Sequence, residues 1–178
     1  MNIFLFRLIN NNRSQILDII STIISSYIFI ICIVGIIFLY VIFSHKIIYK
    51  IKTISLIILA ILLDVLIINI IAKNIVFTPR PYMVLPNVYT IGTSITKSAV
   101  PSGHVSFISS ILFALVISNP TLWPCLFFIL IMGWSRIYNG MHWPSDILLG
   151  IIVALVLVWI ANLILKPFHL PIALERKK

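Results

Sequence analysis

The sequence predicts an all-α fold, a polytopic membrane helical bundle of about five transmembrane helices with an N-terminal interfacial segment. Three observations predict it. Of the 178 residues, 61% are hydrophobic and only 10% are charged, whereas a soluble domain has about a quarter charged residues. The mean hydropathy is +1.18. Long apolar runs recur along the chain, and about 20 apolar residues are enough for a helix to cross a bilayer.

The predicted spans follow one another between short polar segments. Residues 1–15 hold an apolar run too short to cross the bilayer, so an interfacial position is expected. Asp64 falls inside the second span and is expected to face the bundle, because a carboxylate facing lipid is costly. A structural bond to a neighbouring helix is favoured for it over a catalytic role. The five spans are expected at 16–43, 51–76, 104–118, 122–138 and 147–165.

The charge distribution predicts the orientation of the bundle. Thirteen Lys and Arg against four Asp and Glu give a net charge of +9. In a membrane protein this excess indicates cytoplasmic anchoring and an anion site, and no nucleic-acid partner is expected. Five alternating spans place the basic loop 46–52 and the basic tail 166–178 on the same, cytoplasmic side. The polar clusters around Arg80, His104 and His142 then share the opposite side.

The stretch 135–146 gathers an arginine, a histidine and an aspartate in an otherwise apolar chain. Pro144 favours the first position of a helix, which places Asp146 at the third position, where a carboxylate can reach back over the helix N-terminus. A carboxylate held against one nitrogen of His142 would fix the tautomer and make the other nitrogen a better nucleophile or base. The alternative for this stretch alone is an interfacial loop with a helix-capping aspartate.

The groups expected at the outer mouth suit a multiply charged oxyanion. Cationic side chains meet N–H groups at the start of a helix after Ser102 and Gly103. Two histidines allow one to attack phosphorus while the other protonates the departing oxygen. A two-metal phosphatase would need several carboxylates, and only Asp146 is expected nearby, so neither a metal nor a cofactor is predicted. The three cations are Lys73, Arg80 and Arg136.

Three motifs together resemble the signature of the type 2 phosphatidic acid phosphatase family, over about residues 51–165. They are Lys73-x6-Arg80-Pro81, Pro101-Ser102-Gly103-His104 and Ser135-Arg136-x5-His142-x3-Asp146. The resemblance implies that His142 is the nucleophile that becomes phosphohistidine, that Asp146 orients it and that His104 is the general acid. It also implies phosphate binding by Lys73, Arg80, Arg136, Ser102 and Gly103. Bacterial lipid members commonly have six spans, so the chain departs from the family by one span.

The resemblance further implies a metal-independent lipid phosphatase, a single membrane-embedded domain over residues 1–178. It is expected in the cell membrane, with its site on the extracytoplasmic side. The first expectation is a polyprenyl-diphosphate phosphatase that acts on an undecaprenyl- or dolichyl-type lipid in the bilayer and recycles the carrier for cell-wall or glycan assembly. Phosphatidylglycerophosphate or phosphatidate phosphatase is the alternative, followed by lipid A phosphatase.

Two other classes of protein fit the sequence less well than a lipid phosphatase does. The haloperoxidases of the same superfamily are soluble, and this chain is not. An anion or lipid transporter would explain Asp64 and the basic mouth. It would not explain the pairing of His142 and Asp146 together with His104.

Overall fold

In a computed structural model, the described residues are 2–44, 47–92 and 98–169, and they form helices and loops with no strand. The predicted all-α polytopic bundle is confirmed. The helices are α1 (Ile3–Asn10), α2 (Gln15–Ile24), α3 (Tyr27–Ser44), α4 (Ile47–Asp64, continued by the π-helical Val65–Ala72), α5 (Lys73–Ile75), α6 (Pro81–Val84), α7 (Gly103–Ser118), the 3-10 segment Pro120–Leu126, α8 (Phe127–Tyr138) and α9 (Pro144–His169).

Helix length separates the predicted spans into three kinds. Within the described residues, Lys50–Ile68, Pro120–Tyr138 and Pro144–Phe168 are long and apolar enough to cross a membrane. The first predicted span is a pair, α2 and α3, bent by 56°, which makes a fourth crossing when counted as one. The third is α7, whose 16 residues measure about 24 Å against a hydrocarbon core of about 30 Å.

Helix α7 lies at the centre of the bundle, packed against both α4 and α9. It is buried along most of its length, serines included. Two of those serines, Ser106 and Ser110, donate hydrogen bonds to Asp64 Oδ1. Asp64 is fully buried, so it faces the bundle as predicted and joins α4 to α7.

The start of α7 can approach the first turns of α9 closely because Gly150, at the point of contact, has no side chain. A Cβ added to Gly150 would lie 3.1 Å from the carbonyl oxygen of Ser102, which precedes α7. The Ser102 amide also donates to the carbonyl oxygen of Asp146, in the first turn of α9, at 3.2 Å. The two helix N-termini that hold predicted site residues are therefore fixed to each other.

The N-terminal segment is tied to the protein by specific contacts. Phe6 of α1 is fully buried, and its ring centroid lies 5.3 Å from that of Trp143. Asn10 Nδ2 donates to the carbonyl oxygens of Tyr89 and Tyr138, at 2.8 Å each. Helix α1 thus joins the loop after α6 to the end of α8.

Part of the sequence on which the predicted orientation rests lies outside the described residues. This part comprises His45, Lys46 and the tail 170–178. Lys50 and Lys52 lie near the start of α4, and Lys166 lies near the end of α9. The side of the membrane that each end of the bundle faces stays a prediction.

Candidate active site

The turn from α8 to α9 is built by local sequence features. Helix α9 begins at Pro144 as predicted, and Asp146 Oδ2 accepts a hydrogen bond from the Trp143 amide at 2.8 Å. The carboxylate therefore reaches back over the helix start. Gly140 turns the chain with φ of 71°, and a Cβ there would lie 2.5 Å from the carbonyl oxygen of Tyr89. The turn consequently requires glycine at this position.

The imidazole of His142 is buried and held in one orientation. Its Nδ1 lies 2.7 Å from the carbonyl oxygen of Ala99 and 3.7 Å from Asp146 Oδ2. A carbonyl oxygen can only accept, so Nδ1 holds the proton and Nε2 keeps its lone pair. The hydrogen bond expected from Asp146 is thus replaced by one to Ala99. Asp146 Oδ2 bonds to the Trp143 amide instead and lies at ion-pair distance from the ring.

Arg80 joins two segments of the site. Its Nη1 donates to the carbonyl oxygen of Met141 at 2.7 Å, and its Nη2 donates to that of Ser98 at 3.0 Å. Its Nη1 also lies 3.4 Å from His142 Nε2, the nitrogen with the lone pair. Burial lowers the pKa of the Arg80 guanidinium, but an arginine remains charged in proteins. A fixed positive charge therefore lies 3.4 Å from His142 Nε2.

Two further buried donors belong to this region. Arg136, in the last turn of α8, is buried and within electrostatic reach of Arg80. Within the described ranges, Arg136 Nε and Ser102 Oγ have no hydrogen-bond partner. Leaving such groups unsatisfied costs about 1–3 kcal/mol each, and two neighbouring arginines repel each other. An oxyanion bound here would satisfy the donors and neutralise the charges.

The remaining predicted residues lie at the starts of α7 and α5. Gly103 and His104 open α7 directly after Ser102, and N–H groups at a helix N-terminus favour anions. His104 is partly exposed, and its ring centroid lies 5.3 Å from that of Tyr27. Lys73 begins α5, but its side chain lies outside the described residues. The structure therefore gathers Arg80, Ser102, His142 and Asp146, with Arg136 nearby, while the placement of the Lys73 amine stays a prediction.

Acidic groups are spread thinly over the molecule. Asp18 pairs with Arg13 at 2.8 Å, Asp64 bonds to serines of α7, and Glu175 lies outside the described residues. In the part of the chain that the structure describes, no three His, Cys, Asp or Glu side chains come together as possible metal ligands. Among the described residues, Asp146 is consequently the carboxylate within electrostatic reach of Arg80.

Two supporting groups were missed at the level of sequence. The Ala99 carbonyl that orients His142 has no side-chain signal and lies 43 residues away. Ser98 Oγ donates to the carbonyl oxygen of Val76 at 2.7 Å and accepts from the Thr78 amide at 3.3 Å. It thereby fixes the segment before Arg80. Its only signal is its place in the polar loop before Pro101, so the loop as a whole was recognisable but the residue was not.

Comparison with known proteins identifies relatives of this arrangement. A model of the PAP2 superfamily matches residues 53–169. The chain is 33% identical over 93 residues to the undecaprenyl-diphosphatase BcrC of Bacillus subtilis, covering 52% of this chain and 48% of that protein. It is 28% identical over 83 residues to an undecaprenyl-diphosphatase of Sulfolobus acidocaldarius, covering 45% and 40%. It is also 33% identical over 87 residues to the bacitracin transport permease protein BcrC of Bacillus licheniformis, covering 46% and 43%.

The chain matches about half the length, or less, of these relatives. Similarity to a solved structure extends further. The crystal structure of Aquifex aeolicus LpxE superposes with a TM-score of 0.68 at 25% identity, covering 90% of this chain and 93% of that chain. The fold is therefore shared over most of the chain, a larger share than the residues 53–169 that the family model matches.

Proposed function

Because the chain belongs to the PAP2 superfamily, we propose that it is an integral membrane lipid phosphatase that removes a phosphate from a polyprenyl diphosphate. Two similar proteins are named undecaprenyl-diphosphatases, which supports this substrate class. One observation carries the proposal: the buried His142, with Nε2 unprotonated beside Arg80, lies among donors that have no partner in the described structure.

In the first step, His142 Nε2 attacks the terminal phosphorus of the diphosphate. The bond between phosphorus and the bridging oxygen breaks, and its electron pair leaves with the prenyl monophosphate. His104 gives a proton to the departing oxygen. The Nδ1 proton stays in its hydrogen bond to Ala99, and the positive charge that develops on the ring faces Asp146 at 3.7 Å. The product on the enzyme is phosphohistidine.

In the second step, water attacks the phosphohistidine and His104 accepts a proton from that water. Inorganic phosphate leaves, and His142 returns to its starting tautomer. Lys73, Arg80, Arg136, Ser102 and the Gly103 amide bind the phosphate oxygens throughout. Positively charged groups fixed in a buried site stabilise the charge of the transition state without reorganising. They supply the role that metal ions fill in other phosphatases, so the proposed reaction is metal-independent.

The setting of the reaction is proposed as follows. Residues 1–178 act as one membrane-embedded domain, with the family-like core at about 51–165. The site faces the extracytoplasmic side, where the lipid tail stays in the bilayer while the diphosphate enters the mouth. The prenyl monophosphate that remains is the recycled form of the lipid carrier for cell-wall or glycan assembly.

Phosphate release in detergent tests the proposal. Purified wild-type protein is offered a prenyl diphosphate, phosphatidylglycerophosphate, phosphatidate and a lipid A phosphate, each with and without excess EDTA. We expect the diphosphate to give the highest kcat/KM, with EDTA changing no rate. His142→Ala should abolish release from every substrate. His169→Ala should not, because α9 is 26 residues long and places residue 169 about 39 Å from its start.

Other outcomes would contradict parts of the proposal. Preference for phosphatidylglycerophosphate, phosphatidate or the lipid A phosphate would replace the substrate class while keeping the chemistry. Activity that is lost with EDTA and restored by magnesium or zinc would contradict the metal-independent mechanism.

A transporter is the second candidate, because one similar protein is named a bacitracin transport permease. The buried Asp64 and the basic site are compatible with it. A transporter would bind the lipid phosphate without releasing inorganic phosphate. Binding that persists in His142→Ala, with no phosphate release by the wild type, would favour transport over hydrolysis.

A further inference from the structure

The bend between α2 and α3 is built by two serines. The helices meet at 56°, and Ser25 and Ser26 lie between them. Ser26 Oγ accepts a hydrogen bond from the Phe29 amide at 3.2 Å, as an N-cap residue does. Helix α3 therefore starts afresh at Tyr27, with a direction of its own.

Ser25 fixes this bend to the candidate site. Its Oγ donates to Ser135 Oγ at 3.0 Å and accepts from Asn139 Nδ2 at 2.9 Å. Ser135 and Asn139 lie on either side of Arg136 in the sequence, Ser135 within α8 and Asn139 directly after it. The start of α3 is consequently held beside a residue proposed to bind phosphate.

Tyr27, the first residue of α3, meets the site at His104. The two ring centroids are 5.3 Å apart with an angle of 34° between the rings, which is within the range of favourable aromatic contacts. The Tyr27 side chain is 70% exposed, so its ring contact with His104 is not part of a packed core.

We propose that Tyr27 is a positioning residue for His104, the proton donor of the reaction proposed above, on which this inference rests. His104 lies in the first turn of α7 and is partly exposed, so the contacts of its ring determine its rotamer. A proton donor works only while its nitrogen lies within hydrogen-bond reach of the departing oxygen. The Tyr27 ring covers one side of the imidazole and limits its rotation. Tyr27 lies outside residues 53–169, which the family model matches.

The basicity of the leaving group separates positioning from simple packing. A prenyl monophosphate expels an alkoxide, which is a strong base and needs a proton. A prenyl diphosphate expels a phosphate monoester, which is a much weaker base. Loss of His104 should therefore damage monophosphate hydrolysis more than diphosphate hydrolysis. A residue that acts through His104 must show the same dependence and must have no further effect once His104 is gone.

The test measures kcat and KM on a prenyl monophosphate and its diphosphate. The variants are Tyr27→Ala, Tyr27→Phe, His104→Ala and the double variant Tyr27→Ala/His104→Ala. General acid catalysis is worth about a hundredfold to ten-thousandfold. Partial loss of orientation in Tyr27→Ala should lower kcat on the monophosphate about tenfold, with a smaller loss on the diphosphate and KM unchanged. Tyr27→Phe keeps the ring and should retain kcat. The double variant should match His104→Ala.

Ile28→Ala is the matched control, because Ile28 is the next residue and is similarly exposed, at 74%. It should keep wild-type kcat on both substrates. The inference fails if Tyr27→Ala retains full kcat or lowers kcat by the same factor on both substrates. It fails as well if the double variant has a lower kcat than His104→Ala. It also fails if Tyr27→Phe is as slow as Tyr27→Ala. Absence of phosphate release from the prenyl diphosphate by the wild type would instead contradict the proposed function itself, so the two failures are distinguishable.

Discussion

At the scale of single residues, the turn that carries His142 is held by one contact between chain neighbours and by another between distant segments. The start of α9 at Pro144 and the reach of Asp146 over it follow from helix-start rules that operate within four residues. The bond between His142 and the Ala99 carbonyl spans 43 residues and involves a backbone group that every residue has. No residue type marks such a partner. The sequence therefore predicts Asp146, and not the Ala99 carbonyl, as the group that orients His142.

This difference changes what substitution of Asp146 should do. Loss of the correct histidine tautomer costs about ten-thousandfold in kcat in a serine protease. Here Ala99 keeps the tautomer, and an asparagine oxygen can still accept from the Trp143 amide. Asp146→Asn therefore removes only the negative charge 3.7 Å from His142 Nδ1, and two opposite charges about 4 Å apart attract by about 1 kcal/mol in water and about 4 kcal/mol near a protein surface. We expect kcat to fall about tenfold to a hundredfold.

Single-turnover phosphate release measures the effect, with Asp146→Ala as the comparison. The alanine variant also loses the bond to the Trp143 amide and should lower the free energy of unfolding by about a further 1 kcal/mol. An asparagine variant as inactive as His142→Ala would show that Asp146, and not Ala99, controls the imidazole.

At the scale of elements, the apolar runs predict the long helices, but they do not predict the bend or the contacts of the N-terminal helices. The first predicted span is bent at Ser25 and Ser26, two small polar residues in an apolar run that do not by themselves signal a bend. Helix α1 was expected at the interface, and its contacts to Tyr89 and Tyr138 depend on one side chain, Asn10. A single asparagine near the N-terminus gives no sign that its partners lie 79 and 128 residues away.

Removing the Asn10 side chain should destabilise the candidate site, although Asn10 itself lies outside it. Asn10→Ala leaves the Tyr89 and Tyr138 carbonyl oxygens without this donor, at a cost of about 1–3 kcal/mol. For a chain of this size we expect the melting temperature in detergent to fall by about 2–12 °C, and phosphate release to fall with it. Asn12→Ala is the control, since within the described residues Asn12 Nδ2 donates to the Leu8 carbonyl oxygen of its own segment and to no distant one. Equal melting temperatures for the two variants would contradict the proposed stabilisation of the protein by the contacts of α1 with Tyr89 and Tyr138.

At the scale of the whole molecule, the order of the spans brings the three motifs together. The loop after α5, the start of α7 and the turn from α8 to α9 meet around His142. The alternation of long apolar runs along the chain is enough to predict that these three segments lie on the same side of the bundle. It is not enough to predict that His142 is buried, because burial depends on the packing of backbone segments such as 98–102 over the imidazole.

The orientation of the molecule in the membrane is tested by labelling single cysteines. In a background where Cys32 and Cys125 are replaced by alanine, Thr90→Cys and Lys177→Cys report on the site loop and the basic tail. A membrane-impermeant maleimide should label Thr90→Cys on intact cells and Lys177→Cys only after permeabilisation, because basic segments stay cytoplasmic. Labelling of both variants on intact cells would contradict the proposed topology.

The central claim, that His142 Nε2 is the nucleophile of a lipid phosphatase, is tested most directly by trapping the phosphoenzyme. A prenyl diphosphate labelled in its terminal phosphate is mixed with excess enzyme and quenched in alkaline detergent within one turnover. We expect base-stable, acid-labile label on the wild-type chain, located in the peptide that contains His142. His142→Ala should hold no label, whereas His169→Ala should hold as much as the wild type. Label on His142→Ala, or wild-type turnover without labelled protein in a burst-phase time course, would contradict the claim.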